Sequence, residues 1–280
     1  MNSIIAVDVI RKIQDLPALS AIVTELLSSM DQEEVDVDSI AKKISHDLAL
    51  TAKTLRLANS SFYGMQHKIT SIQEAIAVLG FRSVRTLITT TAITGSFNRS
   101  RSGLFDFRAF WRHSIATAVC AKQLARHAKS SEDHAFIAGL LHDIGKLVLA
   151  TRYEEQYEQV ILLRAQRDCY IQDAEREILA IDHAMVGKAL TEYWKFPEEM
   201  QEAVAHHHDT EHAESNMLTV VVHVGDAIAH ALDLAEDEEA LVPRICTNAW
   251  DKLKLTQENS AAIFKETEKQ FEEICRILIN

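Results

Sequence analysis

Glycine and proline are scarce, at 8 and 3 residues in a chain of 280. So few turn-forming positions exclude an all-β fold with its many tight connections. Four cysteines, Cys120, Cys169, Cys246 and Cys275, show no metal-finger spacing and fall in helical-looking segments. They read as free thiols in a reducing compartment. No apolar run reaches the roughly 18 residues of a membrane-spanning helix. Met1-Asn2-Ser3-Ile4 is expected to open no secretory leader, which makes the cytoplasm the expected compartment and excludes a membrane partner.

Positive charge is also lacking, but only in part of the chain. Residues 1–110 carry 12 basic and 11 acidic side chains, whereas residues 111–280 carry 17 and 30. An acidic second half repels a phosphate backbone, so nucleic acid is not the expected partner. The stretch 82–112 runs the other way, with Arg82, Arg85, Arg99, Arg101, Arg108 and Arg112 against Asp106. It reads as a solvated linker or, alternatively, as an anion-steering rim.

What is abundant is helix signal. Asp36 and Asp38 precede Ile40, Ala41 and Ile44, and Asp47 is placed to cap a segment bearing Leu48, Leu50, Leu55 and Leu57. Ser71-Ile72-Gln73-Glu74 is a capping box whose apolar face stops at Gly80, and Pro197 opens a further helix. The final segment, Thr256 to Ile279, repeats Ile263, Phe264, Phe271, Ile274 and Leu278 at helical spacing. Thr86 to Thr94 is rich in β-branched residues, yet it lacks alternation and a partner strand, so helix is expected there too. The chain is therefore all-α, a multi-helix bundle. Gly95 to Asp106 is the best break, giving an N-terminal helical lobe over 1–100, a second lobe over 101–235 and a C-terminal extension over 236–280.

Eleven of the 13 histidines lie between residues 113 and 230. His142 and Asp143 stand side by side in the apolar run Leu141-His142-Asp143-Ile144, followed by Gly145 and Lys146. Consecutive helical residues point about 100° apart, so one helix cannot surround an ion. His113, His183, the His206-His207-His208 triplet and Asp226 are the candidates to close a site from other segments. Asp226 is the only acid of an apolar helix and needs a partner there. The triplet also suits a solvated helix C-terminus, and His46, His67, His127, His134, His212, His223 and His230 read as surface or satisfied core residues. Imidazole with carboxylate suits a divalent transition metal, Fe or Mn first and Zn or Ni next, as one ion or two. Such ions generate hydroxide and clamp a phosphate, and Lys146 can neutralise a substrate oxygen.

His113, then His142-Asp143 with Gly145-Lys146, then a distant Asp226 resembles the HD superfamily of metal-dependent phosphohydrolases. Asp47-Leu48-Ala49-Leu50 through Leu57-Ala58-Asn59-Ser60, Ile69-Thr70-Ser71-Ile72 through Val78-Leu79-Gly80, and Ile181-Asp182-His183 through Gly187 resemble an HDOD domain, together with Leu16-Pro17, Trp194 and Pro197. The resemblance implies an HD-like helical fold and a bacterial signalling protein. It implies metal ligation by His113, His142, Asp143 and Asp226, and a second ion at His183, His207 and His208, as in the related HD-GYP phosphodiesterases. His206-His207 is the other register for the histidine pair. Asp143 and Lys146 would be the catalytic residues. Two departures stand out: Thr210-Glu211-His212-Ala213 replaces a Gly-Tyr-Pro loop, and position 109 is Ala where some sites carry an acid. The implied functions are hydrolysis of a nucleotide or other phosphorylated small molecule, or a non-catalytic module that docks a signalling protein.

Overall fold

Starts and stops of the helices follow local chemistry. The computed structural model describes residues 19–29, 36–60, 62–96, 104–209, 216–236 and 241–279, and every regular element among them is helical. The first group comprises α1 (Ala21–Ser28), α2 (Val37–Ser45), α3 (Leu48–Ala58), α4 (Ile72–Leu79) and α5 (Phe81–Ser96). Side chains of Asp36, Asp47 and Ser71 accept from the backbone N–H of Ser39, Leu50 and Glu74 at 3.0, 2.9 and 3.1 Å. Each satisfies a donor that no helical carbonyl can reach. Glu74 turns back to accept from both the backbone N–H and the hydroxyl of Thr70, at 2.8 Å each. Gly80 closes α4 at a φ of +82°, a conformation side chains resist.

Helix α5 is the β-branched run. Hydroxyls of Thr86, Thr91 and Thr94 donate to the carbonyls of Arg82, Leu87 and Thr90 at 3.2, 2.8 and 2.9 Å. These back-bonds satisfy three buried hydroxyls, and the helical backbone bonds leave no ladder for a sheet partner to complete. Helices α1, α3 and α4 pack on α5, which in turn packs on α7 of the next group.

That group comprises α6 (Phe107–His127), α7 (Glu132–Leu141), α8 (Ile144–Arg152), α9 (Glu154–Arg167), α10 (Ile171–Leu179), α11 (His183–Tyr193), α12 (Glu198–His206) and α13 (Met217–Ala231). Two further helices, α14 (Thr247–Leu253) and α15 (Gln257–Leu278), follow. Helix α6 is the axis, buried from Phe110 to Ala125 and enclosed by α7, α13 and α15. Small residues permit the closeness: a Cβ on Gly139 of α7 would lie 2.8 Å from the Ala118 Cα.

Within the described part of the arginine-rich stretch Arg82 and Arg108 are exposed, whereas Arg85 and Arg112 are buried and line no cavity. Arg85 is buried in α5 and donates to the Ser29 carbonyl at 2.9 Å. Arg112 is buried in α6, donates to the Leu234 carbonyl at 2.9 Å, pairs with Glu236 and Glu272, and sits 4.8 Å over the Phe271 ring. Both guanidinium groups tie elements together instead of facing a ligand. Arg99, Arg101, Leu16-Pro17, His212 and most of the expected break at Gly95–Asp106 lie outside the described residues. Among the described residues no helix is long and apolar enough to cross a membrane, and all four cysteines are free thiols.

Candidate metal centre

Helix ends aim most of the site's side chains. His142 caps the C-terminus of α7 and its Nδ1 donates to the Gly139 carbonyl at 2.7 Å, satisfying one of the helix's orphan carbonyls. Asp143 opens α8 but makes no capping bond, so its carboxylate is left to the site. His207 ends α12 as His142 ends α7, with Nδ1 donating to the Val204 carbonyl at 2.7 Å. His183 starts α11, and His113, Asp226 and His230 project from the middles and end of α6 and α13. The α8–α11 approach is set by Gly145, whose added Cβ would lie 2.0 Å from the His183 carbonyl oxygen.

These segments bring all seven sequence-predicted ligands together. Asp143 faces two groups with its two oxygens. Its Oδ1 lies 3.1 Å from His183 Nε2 and 3.5 Å from His207 Nε2, and His183 Nε2 is 2.9 Å from His208 Nε2. Its Oδ2 lies 3.4 Å from His142 Nε2 and 3.7 Å from His113 Nε2. Asp226 Oδ1 joins the second group, 3.0 Å from His113 Nε2 and 3.6 Å from His142 Nε2. Lys146 Nζ donates to Asp143 Oδ2 at 2.6 Å. His206 is not part of this set; it faces Glu202 at 3.1 Å and Asp209 at 3.6 Å.

The donor set fits a divalent metal. Asp143 Oδ1, both oxygens of Asp226 and His207 Nε2 are buried without a hydrogen-bond partner. Leaving such atoms bare costs on the order of 1–3 kcal/mol each, more for charged groups, and a cation relieves all of them at once. The two carboxylates are held ionised, and His207 and His230 neutral. Burial would raise the Asp143 carboxyl, yet His142, Lys146 and His183 hold it well below the usual carboxylate range; His113, His142 and His230 do so for Asp226. Burial would depress His142, but Asp143 and Asp226 drive it up to about 10. Burial also opposes charge on His183, which Glu175 and Asp143 raise to about 9. Burial lowers His207 to about 4 and, with His113, His230 to about 3, which leaves their lone pairs available.

Two residues of the cluster were not legible as such. His230, which reads from sequence as surface or satisfied core, lies 3.4 Å from Asp226 Oδ1, and its ring centroid is 4.1 Å from that of His113. The available signal was its place one turn after Asp226 on the same helix. Glu175 on α10 carried no signal; its buried carboxylate accepts from His183 Nδ1 at 2.6 Å. His223 is a satisfied core residue, its Nδ1 donating to the His207 carbonyl at 2.7 Å and its Nε2 accepting from the Cys246 N–H at 3.0 Å. Over the cluster opens a cavity of about 260 Å³, floored by His113, Asp143, His208 and His230. Phe105, Phe110, Tyr157, Ile161 and Tyr170 wall it, with Lys146 and Arg164 as its cations.

The sequence pattern that defines the HDOD domain matches residues 16–210. The chain belongs to the HDOD domain family. Asp226 and His230 fall beyond the matched stretch, so the HDOD segment alone does not complete the cluster. An uncharacterized protein of Treponema pallidum (strain Nichols) is 28% identical over 214 residues, covering 75% of this chain and 40% of its own length. The chain thus spans less than half of that relative. Two solved structures share the fold at 24% identity and a TM-score of 0.77: a candidate phosphohydrolase from Shewanella amazonensis SB2B and an HDOD domain protein of unknown function from Geobacter sulfurreducens. The first is matched over 96% of this chain and 97% of its own, the second over 97% and 96%.

Proposed function

We propose that this HDOD protein is a metal-dependent phosphohydrolase whose substrate is a nucleotide or another phosphorylated small molecule. One observation carries the reading: Asp143 offers its two oxygens to two separate ligand groups, both at the floor of an open cavity and beside Lys146. Imidazole and carboxylate donors in this proportion suit Fe or Mn, with Zn or Ni as the next choices. His113, His142, Asp143 and Asp226 would hold one ion, with His230 in reach of it. Asp143, His183, His207 and His208 would hold a second. Bound there, a divalent ion supplies Lewis acidity to a phosphoryl oxygen and makes hydroxide accessible near neutral pH.

The protein's own groups do the rest. Asp143, fixed by Lys146 and four imidazoles, orients both ligand groups relative to each other. Lys146 sets a positive charge beside the place where phosphoryl charge develops. The aromatic wall of the cavity excludes water and takes an apolar substituent such as a base or an aryl group, while Arg164 suits a second anionic group. The reading also places the protein in the bacterial cytoplasm.

A second reading, a non-catalytic signalling module that docks a partner protein, is favoured by Thr210-Glu211-His212-Ala213 standing where the related HD-GYP phosphodiesterases carry a Gly-Tyr-Pro loop. The two separate in one experiment. The protein is purified without oxygen, its metal content measured, and phosphomonoesters and phosphodiesters assayed beside a His142→Ala/Asp143→Ala double variant. Stoichiometric metal with hydrolysis lost in the variant supports the enzyme. Metal without hydrolysis of either class supports the module, and no metal in either protein sinks the metal centre.

A further inference from the structure

We infer that Glu175 is a positioning residue for the ligand group Asp143–His183–His207–His208, fixing His183 and supplying the negative charge that this group lacks. The inference rests on the metal-centre reading above. Three imidazoles of the cluster are anchored through Nδ1. His142 and His207 donate to neutral backbone carbonyls, each at 2.7 Å, whereas His183 donates to the Glu175 carboxylate at 2.6 Å. The same oxygen, Oε2, also accepts the His183 backbone N–H at 2.8 Å, so ring and backbone are held by one atom. The other oxygen accepts from the Tyr157 hydroxyl at 2.9 Å. Glu175 is fully buried, so its charge is screened little.

The asymmetry matches the carboxylate count. The group around His113 and His142 has Asp143 and Asp226, whereas the group around His183 has Asp143 alone. A carboxylate behind an imidazole fixes the hydrogen on Nδ1, turns the Nε2 lone pair towards the ion and raises the donor's basicity. Glu175 therefore supplies from behind what Asp226 supplies directly to the other group. Tyr157 links this anchor to the cavity wall.

The test is Glu175→Gln, read by metal binding. A glutamine offers one acceptor oxygen to three donors, and its amide hydrogens favour the opposite tautomer of His183, with the hydrogen on Nε2. Equilibrium dialysis with Mn(II) should give two ions in the wild type. In E175Q one ion should remain at unchanged affinity, while the other weakens about 10- to 100-fold. Asp226→Asn should weaken the complementary ion. If metal-free E175Q does not fold by circular dichroism, Glu175→Asp, which keeps the charge but withdraws the oxygen from Nδ1, should show the same selective loss to a smaller degree. Two ions bound with wild-type affinity by the variant overturns the inference alone, as does equal weakening of both. A wild type that binds fewer than two Mn(II) ions overturns the inference together with the two-ion centre, and one that binds none removes the metal centre itself.

Discussion

Asp143 concentrates the chemistry of this protein in one side chain. It stands at a helix junction without a capping bond, buried, ionised and shared between two sets of imidazoles. Its neighbour Lys146 serves both binding and turnover, since its Nζ donates to Asp143 Oδ2 at 2.6 Å. Lys146→Met should weaken metal retention at both ligand groups and, at saturating metal, lower kcat by about 10²–10³, the range for loss of one donor to developing charge. Metal analysis beside steady-state kinetics checks both halves. Lys122 offers a residue-scale prediction of a different kind. It is buried on α6, with Nζ 3.8 Å from the Phe62 ring centroid. Burial pushes its pKa down to about 8, against the opposing pull of Asp133 and Glu132. The unfolded chain, with an ordinary lysine near 10.4, binds the proton more tightly between about pH 8 and 10. Stability should therefore rise with pH across that window. Lys122→Met should flatten the rise and be the more stable protein below pH 8, as urea titrations at several pH values will show.

At the scale of elements, junctions matter more than helices. The α7–α8 junction presents His142 and Asp143, and the end of α12 presents His207 by the same Nδ1-to-carbonyl bond three residues back. What brings α8 to α11 is the missing side chain at Gly145. Gly145→Ala would set a Cβ 2.0 Å from the His183 carbonyl, a contact that only backbone movement relieves. It should cost about 1–3 kcal/mol in thermal unfolding of the metal-free protein. Because the movement separates Asp143 from His183, the ion held by that pair should weaken more than the one at His113 and Asp226. Equal weakening of both ions would argue against this account. Much of the element level was legible in sequence: the caps at Asp36, Asp47 and Ser71 and the stop at Gly80 act locally. The threonine-rich α5 was readable as helix because no partner strand existed for it.

Over the whole molecule, the candidate ligands span positions 113 to 230 and arrive on five different segments. Folding therefore buries carboxylate oxygens and an imidazole nitrogen at one point without hydrogen-bond partners, and metal should offset that cost. Removal of metal by a chelator should lower the Tm. Restoring it to about 100 times the Kd should add about 2.7 kcal/mol, or about 5–10 °C for a chain of this size. A Tm indifferent to metal would contradict a centre of this construction. Helix α15 belongs to the same scale. It lies along α6, and Glu272 on it pairs with Arg112, the residue before His113, so the C-terminal helix braces the site's axis.

The sequence by itself determined the helical class, several helix caps and five of the candidate ligands, His113, His142, Asp143, His183 and Asp226, because caps, periodicity and a His-Asp pair in an apolar run are local patterns. It left three matters to tertiary structure. The register of the triplet was decided by the end of α12, which turns His207 and His208 inward and His206 towards Glu202. His230 joined the cluster because α13 packs on α6 at the level of His113. Glu175 acquired its part because α10 places it behind His183. The physical reason is common to all three. A ligand's type is written in one residue, but whether its lone pair meets an ion depends on which helices approach, and that is decided by packing across the chain.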